Sequence, residues 1–581
     1  MAIASPYLQL LKDRITLTQI PFTDRDSRLI LFRSDEQSLW VGLAEYEIDP
    51  EQYPAITRWS FTDGEGQACR CEYTTYPHEI RNQTPCGTFR ITFVDAETLL
   101  VALPAGRSGI KLLTRMEKGQ TDRLGGVLGR SSYSPLHLVY TTNTTLIQNC
   151  IVELDNEQRE IELIFEAEEG AVLLLNITRT ADFNRRIVKA EQAIEAAAQR
   201  WHDWFATVPE VAEHYRRQYY YAWWVMGANL IYPYAHPKRE GMVPSKQGYV
   251  GIWHWDSYFH ALALRHRDTQ MAQEQFRIML DYQLPNGLIP DIVHDEGILA
   301  HTTEIVEADI TKPPLTAWAA WKVYEIDGDR EFLKELYEPI VRFQNWWFSE
   351  SDPDVTGLCA YLHPWSSGLD NNPLWDQGLP VETPDLSAYL CLQYDYLARI
   401  AQEIGYPEEA LDWTQRAKEL AERMIALRWD EQAGIFWASR HGQRIPVCTP
   451  FHLFPLITGR MPENIAARLV ATLTNEKKFW GHHPVPTVAF DDPSFNPLSM
   501  WRGPVWLNVN YLLIDGLLRA GYPEQARELR WRTLELALAA EDFYEYYHPL
   551  TGQKPPRATH AFGWSAALFI DLVIAASAEQ E

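Results

Sequence analysis

The chain has 581 residues, 46% of them hydrophobic, so it can bury a large core and is too long for one ordinary domain. Its formal net charge of −26 repels phosphate backbones and anionic lipid, which argues against nucleic-acid and membrane partners and favours neutral or cationic small molecules. No stretch of 18 apolar residues and no leader-like segment is present, and seven scattered cysteines form no disulfide framework, so we expect a cytoplasmic protein with reduced thiols.

Residues 1–180 are predicted to form an N-terminal β-sandwich, because short apolar runs rich in β-branched residues alternate there with polar turns. Eight runs predict strands: Ser27–Phe32, Ser38–Leu43, Phe89–Phe93, Thr98–Ala102, Leu136–Thr141, Ile151–Leu154, Glu160–Phe165 and Ala171–Ile177. Residues 181–207 are predicted to be a helical linker, since apolar residues recur at spacings of three and four from Asn184 to Phe205.

Residues 208–581 are predicted to be helical, which makes the chain mainly α. The twelve predicted helices lie near 212–232, 255–266, 270–284, 313–327, 330–350, 384–404, 406–429, 449–458, 463–474, 504–520, 523–540 and 560–578. Short and long connections alternate between them, which indicates two concentric rings of six helices, an (α/α)6 barrel with its long loops at one end. An α-solenoid is the alternative, but the sequence shows no fixed period.

The long loops are rich in aromatic and acidic residues. The first contains Trp253, Trp255 and Asp256 at a predicted helix start, where the tryptophans suit sugar binding. Alternatively, Asp256 or Ser257 caps that helix. The second contains His294 and His301 with neighbouring acids, but their spacing matches no metal-ligand pattern, so no metal and no organic cofactor is predicted.

Two further loops each present a candidate catalytic carboxylate. Asp370 lies in a run of aromatic, glycine and proline residues from His363 to Asp376, where a turn residue is the local alternative. Glu545 is flanked by four aromatic residues, whose desolvation would raise the pKa of its carboxyl group, unless the side chain is simply exposed. Two carboxyl groups at the aromatic-lined mouth of a barrel are what glycoside hydrolysis requires.

At this point five motifs, in order, resemble glycoside hydrolase family 63, whose members are similar to trehalases and processing α-glucosidases. The motifs are Trp255-Asp256-Ser257, Lys312-Pro313-Pro314, Ser367-Gly368-Leu369-Asp370-Asn371, Trp501-Arg502-Gly503-Pro504-Val505-Trp506, and Glu545-Tyr546-Tyr547 followed by Pro549 and Gly552. The resemblance covers about 370 residues and implies an (α/α)6 barrel that hydrolyses α-glycosidic bonds with inversion.

The resemblance also implies roles for individual residues. Asp370 matches the general acid and Glu545 the general base that activates water. Inversion places two such groups roughly 6.5–9.5 Å apart. The residues implied to bind the sugar are Trp255, Asp256, Trp501, Arg502 and Trp506. Next to the acid we expect Trp365 as a stacking platform, Gly368 as the residue that permits a tight backbone path, and Asn371 as an orienting group, with Asp376 structural.

The chain departs from the family pattern at Lys312, where Gln is common, and at Ser366, where Glu is common. An ammonium at position 312 could bind a carboxylate on the substrate or pair with an acid of the site, or Lys312 could point to solvent.

The leading hypothesis is therefore an inverting glycosidase that cleaves an α-linked, preferably α-glucosidic, bond in a short oligosaccharide or a glycosylated small solute. A trehalase-like or glucoamylase-like hydrolase, a phosphorylase and a non-catalytic carbohydrate-binding protein are the alternatives. The sequence does not identify the sugar, the aglycone or the oligomeric state.

Overall fold

The computed structural model describes residues 5–45, 54–130, 136–155, 158–232, 239–295, 297–298 and 309–579. The chain divides into two compact units. The first comprises Met1–Val208, Arg216–Tyr232 and Ser245–Val250, and the second comprises Pro209–Tyr215, Pro233–Pro244 and Gly251–Glu581. Segments between 209 and 250 thus alternate between the units, and the domain boundaries expected at 180 and 207 stay predictions.

The first unit contains two antiparallel sheets. Its strands are β1 Leu29–Arg33, β2 Ser38–Leu43, β3 Ile56–Asp63, β4 Glu72–Thr75, β5 Ile80–Thr84, β6 Gly87–Asp95, β7 Thr98–Ala102, β8 Gly106–Thr114, β9 Lys118–Asp122, β10 Gly125–Arg130, β11 Leu136–Thr142, β12 Thr145–Glu153, β13 Arg159–Ala167 and β14 Val172–Thr178. One sheet has the order β1-β2-β3-β8-β13-β12 and the other β4-β5-β6-β7-β14-β11-β10-β9.

The two sheets meet through their apolar faces. Strand β5 alternates buried and exposed residues, as expected when only one face packs against the core. Phe61 of β3 and Phe89 of β6 have ring centroids 4.8 Å apart, so side chains from both sheets share one core. Three helices complete this unit: α1 Pro6–Leu10, α2 Ala190–Ala206 and α3 Arg216–Ala228.

The second unit is mainly helical. Its helices are α4 His254–Leu264, α5 Thr269–Leu280, α6 Thr316–Asp327, α7 Arg330–Glu350, α8 Pro384–Ile404, α9 Pro407–Arg428, α10 Glu463–Leu473, α11 Leu507–Arg519, α12 Pro523–Ala539 and α13 Gly563–Ala578, with 3₁₀ helices at Glu213–Tyr215, Pro364–Ser367, Pro373–Trp375, Pro450–Thr458 and Met500–Arg502. Two-residue strands lie at Leu230–Ile231, Gly241–Met242, Ile252–Trp253, Ile292–Val293, Ala360–Tyr361, Val381–Glu382, Trp429–Asp430, Ile435–Phe436, Ser439–Arg440 and Gln443–Arg444, the first of them in the first unit.

Local sequence signals set the helix ends. Asp329 caps α7 by accepting the N–H groups of Glu331 and Phe332. Proline occupies the first position of α8, α9 and α12, and Gly328 and Gly405 end α6 and α8 with φ of 68° and 95°. The segment predicted as a helix near 449–458 is a 3₁₀ helix instead, because Pro450 and Pro455 remove backbone donors.

Six of these elements close a ring. Helix α4 packs against α6, α6 against α8, and α8 against the 3₁₀ helix Pro450–Thr458; that helix packs against α11, α11 against α13, and α13 against α4. Among the described residues, five of the six ring elements are followed, after a short connection, by a helix that packs against them: the pairs are α4–α5, α6–α7, α8–α9, Pro450–Thr458 with α10, and α11–α12, while α13 is the last helix. The long connections therefore lead into the N-terminal ends of the ring helices and collect at one end of the ring.

Candidate active site

The loop that carries Asp370 lies between two 3₁₀ helices. Pro364–Ser367 ends at Gly368, which has φ of 69° and donates its N–H to the carbonyl of Trp365. Pro373–Trp375 begins after Asn372, whose side-chain amide donates to the Trp501 carbonyl at 2.9 Å. Burial raises the pKa of the Asp370 carboxyl group, although Lys312 opposes the shift. Its Oδ1 atom is buried without a hydrogen-bond partner among the described residues, which is unusual for a buried polar atom.

Gly368 allows the loop that carries Asp370, here called the acid loop, to approach helix α4. A Cβ atom at this position would lie 2.1 Å from the indole ring of Trp255. The positive φ also disfavours any side chain. The backbone beside Asp370 can therefore take this path against Trp255 only with glycine at position 368.

Lys312 lies inside the site rather than on the surface. Its Nζ atom is 3.0 Å from Asp291 Oδ1 and donates to the Trp365 carbonyl at 2.6 Å. Both side chains of the ion pair are about 5% exposed. Burial lowers the pKa of Lys312, but the facing carboxyl groups of Asp291 and Asp370 raise it by more than burial lowers it. The ammonium therefore stays protonated.

More than one carboxyl group surrounds the single ammonium of Lys312. Burial raises the pKa of Asp291 to about 6, with Lys312 opposing and Asp370 adding to the shift. Burial raises the pKa of Asp256 to about 8, and the charges of Asp291 and Glu545 add to that shift. The acid and base candidates thus border the same cluster of buried charges. Perturbed pKa values of this kind are typical of catalytic sites.

Glu545 is held by backbone hydrogen bonds. Its N–H donates to the Thr559 carbonyl at 3.0 Å, and its Oε2 accepts the Thr559 N–H at 3.1 Å. Tyr547 exchanges two backbone hydrogen bonds with Val505 at 2.8 and 2.9 Å, which ties this loop to the segment before α11. The residue is 2% exposed, so the alternative of an exposed glutamate is wrong.

Aromatic rings surround the carboxyl groups. Trp501 and Trp506 stack with ring centroids 3.7 Å apart at an angle of 7°. The ring centroids of Trp255 and Trp501 are 6.2 Å apart, and those of Tyr546 and Trp506 are 4.9 Å apart. Trp564, which the sequence did not single out, contacts Trp255 edge-on at 5.5 Å. Such rings suit the C–H faces of a sugar.

Asn371 and Arg502 connect the acid loop to the tryptophan motif. Asn371 Oδ1 accepts the Trp501 N–H at 2.9 Å, so its side chain orients the loop. Arg502 donates to the Asn371 carbonyl and forms a two-pronged ion pair with Asp376 at 2.9 and 2.6 Å. Asp376 is thereby placed as a partner of Arg502, in agreement with its expected structural role.

The two remaining predicted residues are half-buried. Trp253 immediately precedes α4, and Trp365 contacts His363 with ring centroids 4.8 Å apart. Helix α4 has no side-chain cap, so the idea that Asp256 or Ser257 caps it is wrong. Ser257 Oγ instead donates to the Trp253 carbonyl at 2.7 Å.

Asp291 is the charged residue of this site that sequence reasoning did not assign. Its carbonyl accepts the N–H of His254, and its own N–H donates to the Ile310 carbonyl, so it lies against the start of α4. Its position after Ile289-Pro290, at the head of an acidic loop, is the signal that could have identified it.

Among the described residues, no group of three His, Cys, Asp or Glu side chains is arranged to hold a metal ion, and His301 lies outside those residues. No helix in the described ranges is long and apolar enough to cross a membrane. The cytoplasmic location expected from the sequence stays a prediction.

The family model described as the mannosylglycerate hydrolase MGH1-like glycoside hydrolase domain matches residues 249–565, a span that contains every residue of this site. The mannosylglycerate hydrolase of Thermus thermophilus is 30% identical over 56% of this chain and 95% of its own length. The glucosylglycerate hydrolase of Mycolicibacterium hassiacum is 24% identical over 56% of this chain and 92% of its own length.

Solved structures extend these similarities. The crystal structure of the GH63 mannosylglycerate hydrolase from Thermus thermophilus, in complex with Tris and D-glycerate, is 27% identical, covers 57% of this chain and 95% of its own, and superposes with a TM-score of 0.51. A bacterial glucoamylase complexed with acarbose is only 11% identical but covers 97% of this chain and 95% of its own, with a TM-score of 0.59. That similarity extends the likeness in fold over both units.

Proposed function

Because the chain belongs to the mannosylglycerate hydrolase MGH1-like glycoside hydrolase family, within family GH63, and is a glycoside hydrolase, we propose that it hydrolyses a glycosylated small solute with inversion at the anomeric carbon. The observation that carries the proposal is the cluster of buried carboxyl groups around Lys312, bordered by the candidate acid and base. Inverting hydrolysis needs two carboxyl groups with different protonation states in one pocket.

Asp370 is the proposed general acid. Burial raises the pKa of Asp370, which favours the protonated form that can donate to the oxygen of the leaving group. Its position beside the tight turn at Gly368 fixes the backbone that presents this carboxyl group.

Glu545 is the proposed general base, which removes a proton from the attacking water. The Thr559 N–H donates to its Oε2 atom, and a donor to a carboxylate favours the ionised form that a base requires. Trp255, Trp501 and Trp506 are proposed to bind the sugar ring that is cleaved from the solute.

The proposed substrate is a hexose joined by an α-glycosidic bond to a small hydroxy acid such as glycerate. The names of two relatives support the acid, and because those names differ in the hexose, mannose and glucose are both candidates. The earlier preference for neutral or cationic solutes rested on net charge alone, whereas this proposal rests on family membership.

We also propose the finer fold assignment. The shared core of the two sheets supports a β-sandwich, and the closed ring of six elements with returning helices supports an (α/α)6 barrel. The domain limits 1–180, 181–207 and 208–581 belong to this proposal.

The test is product analysis by NMR during hydrolysis of mannosylglycerate, glucosylglycerate, trehalose and maltose. We expect the sugar acids to be cleaved fastest, with a β-hexose released first, and Asp370→Asn and Glu545→Gln each to lose at least ~100-fold in kcat. Asp412→Asn, which alters an exposed carboxylate on α9, is the matched control and should retain full activity. Retention of near-normal activity in Asp370→Asn or Glu545→Gln, or first release of the α-anomer, would reject the mechanism, and dependence on phosphate would indicate a phosphorylase.

A further inference from the structure

Lys312 joins segments of the second unit that are far apart in the sequence. Its Nζ atom contacts Asp291, which lies against the start of α4, and the Trp365 carbonyl, which lies five residues before Asp370. The same carbonyl accepts the N–H of Gly368. One buried side chain therefore links the start of α4 to the turn that precedes the proposed acid.

The neighbouring residue strengthens this link. Thr311 Oγ1 donates to the Ile289 carbonyl at 2.6 Å, and the Thr311 N–H donates to Ser366 Oγ at 3.3 Å. Residues 311 and 312 thus make successive contacts with both the Asp291 segment and the acid loop. The Lys312 ammonium therefore contacts groups of the protein rather than solvent.

The charged and titratable groups around Lys312 come from several elements. Asp370 on the acid loop, Asp291 before the strand Ile292–Val293, and Asp256 in the first turn of α4 are the acids that act on it. Lys312 in turn lowers the pKa of two histidines, His254 and His363, for both of which burial is the larger cause. The ammonium thus faces two buried acids, Asp256 and Asp291, and the partly exposed Asp370.

We infer that Lys312 is a positioning residue of the hydrolase: it fixes the acid loop through the Trp365 carbonyl and, shared with Asp291, sets the positive charge that Asp370 experiences. This inference rests on the proposed function. It assigns to Lys312 a role that a neutral glutamine, the common residue at this position in the resembling family, could fill only in part, because an amide could still donate to the carbonyl but carries no charge.

The two members of the ion pair should act on the acid in opposite directions. Removal of the ammonium removes the charge that stabilises ionised Asp370, so the acid should stay protonated to higher pH. Removal of the Asp291 charge leaves the ammonium less compensated, so Asp370 should ionise at lower pH. The alkaline limb of the kcat/KM profile reports this ionisation in the free enzyme.

The experiment measures pH profiles of kcat/KM for the full-length wild type, Lys312→Gln, Lys312→Arg and Asp291→Asn on whichever of the four tested substrates the wild type cleaves fastest. We expect the alkaline limb to move up by about one pH unit in Lys312→Gln and down in Asp291→Asn. In Lys312→Arg, which keeps the charge, the limb should stay near its wild-type position even if the rate falls. A purely structural role would lower the rate without moving the limb in opposite directions.

An unmoved limb in both Lys312→Gln and Asp291→Asn, or a shift of both in the same direction, overturns the inference. Asp291→Asn keeps the ammonium and its bond to Trp365, so if every Lys312 variant fails to fold, an unmoved or raised limb in Asp291→Asn alone overturns it. The proposed function fails separately, when Asp370→Asn remains active, and that outcome does not depend on the Lys312 variants.

Discussion

Carboxyl groups at the two ends of the helical ring differ in how fully they are paired with cations, and their pKa values shift in opposite directions. Beside the C-terminal end of α4, Asp571 of α13 accepts hydrogen bonds from Arg265 at 2.8 Å, His266 at 2.7 Å and Tyr511 at 2.6 Å. Although burial raises its pKa, Arg265 and His266 lower it well below its usual range. At the N-terminal ends of the ring helices, Asp256, Asp291 and Asp370 surround Lys312, and all three pKa values are raised.

The contrast shows that burial alone does not mark a catalytic acid. Asp515 is only partly exposed, with 17% of its side chain accessible, yet Lys322 and Arg519 face it and its pKa is lowered. A buried carboxylate that is matched by cations is an ion pair that needs both partners, whereas one that lacks sufficient counter-charge keeps its proton to a higher pH than usual. The second kind is the kind a general acid requires.

The largest expected effect on stability comes from removing the Asp571 carboxylate, which is paired with cations. Asp571→Ala leaves the buried Arg265 guanidinium without its partner and should lower the free energy of unfolding by ~3–5 kcal/mol. The loss is measured from denaturant unfolding of the helical unit. Asp370→Asn is the matched comparison at the other end and should cost far less stability while abolishing activity. Equal losses of stability in both variants would contradict the difference between the two ends.

A smaller effect is expected from crowding the acid loop. Gly368→Ala places a methyl group against Trp255 and should cost ~1–3 kcal/mol of stability from overpacking, with a fall in kcat because the backbone beside Asp370 shifts. Gly405→Ala is the control, since Gly405 also has a positive φ but a Cβ there meets nothing within 4 Å. It should cost only the conformational penalty of ~1–2 kcal/mol and leave kcat unchanged, and a similar fall in kcat in both variants would reject the steric explanation.

The effect that is smallest per unit of change is the pH dependence of stability. The pKa of Asp256 rises from its usual 3.8 to about 8 on folding, so the folded state binds a proton that the unfolded state has released between these values. Stability therefore falls as pH rises from about 4 to about 8, by at most ~1.4 kcal/mol per pH unit from this group. Asp256→Asn should flatten the slope in this window, as measured by unfolding at a series of pH values. An unchanged slope would show that Asp256 is ionised in the folded protein.

The sequence predicted the helical unit better than the β unit. Helix α7 was predicted at its observed limits because Asp329 caps its start and apolar residues recur regularly along it. Strand β8, Gly106–Thr114, was missed because two glycines, a lysine and an arginine interrupt its apolar pattern. Long-range pairing with β3 and β13 stabilises this strand, and local sequence does not report such pairing.

Local sequence likewise does not report the long-range contacts that form the site. Glu545 could be proposed from its aromatic neighbours, but Asp370 locally resembles a turn, and only the ordered motifs of the family distinguished it. Burial of Lys312 could not be predicted, since a lysine before two prolines is compatible with a surface position. Asp291 acquires its significance from Lys312, which is 21 positions away in the sequence.

The direction of the ring helices has an electrostatic consequence of its own. Aligned peptide dipoles give the N-terminus of each α-helix a partial charge of about +0.5, which is strongest within the first turn. Because the long connections lead into the N-terminal ends of α4, α6, α8, α11 and α13, these partial charges converge on the end of the ring that holds the acid and base candidates. A protein with a net charge of −26 can thus present a locally less repulsive entrance to an anionic sugar derivative.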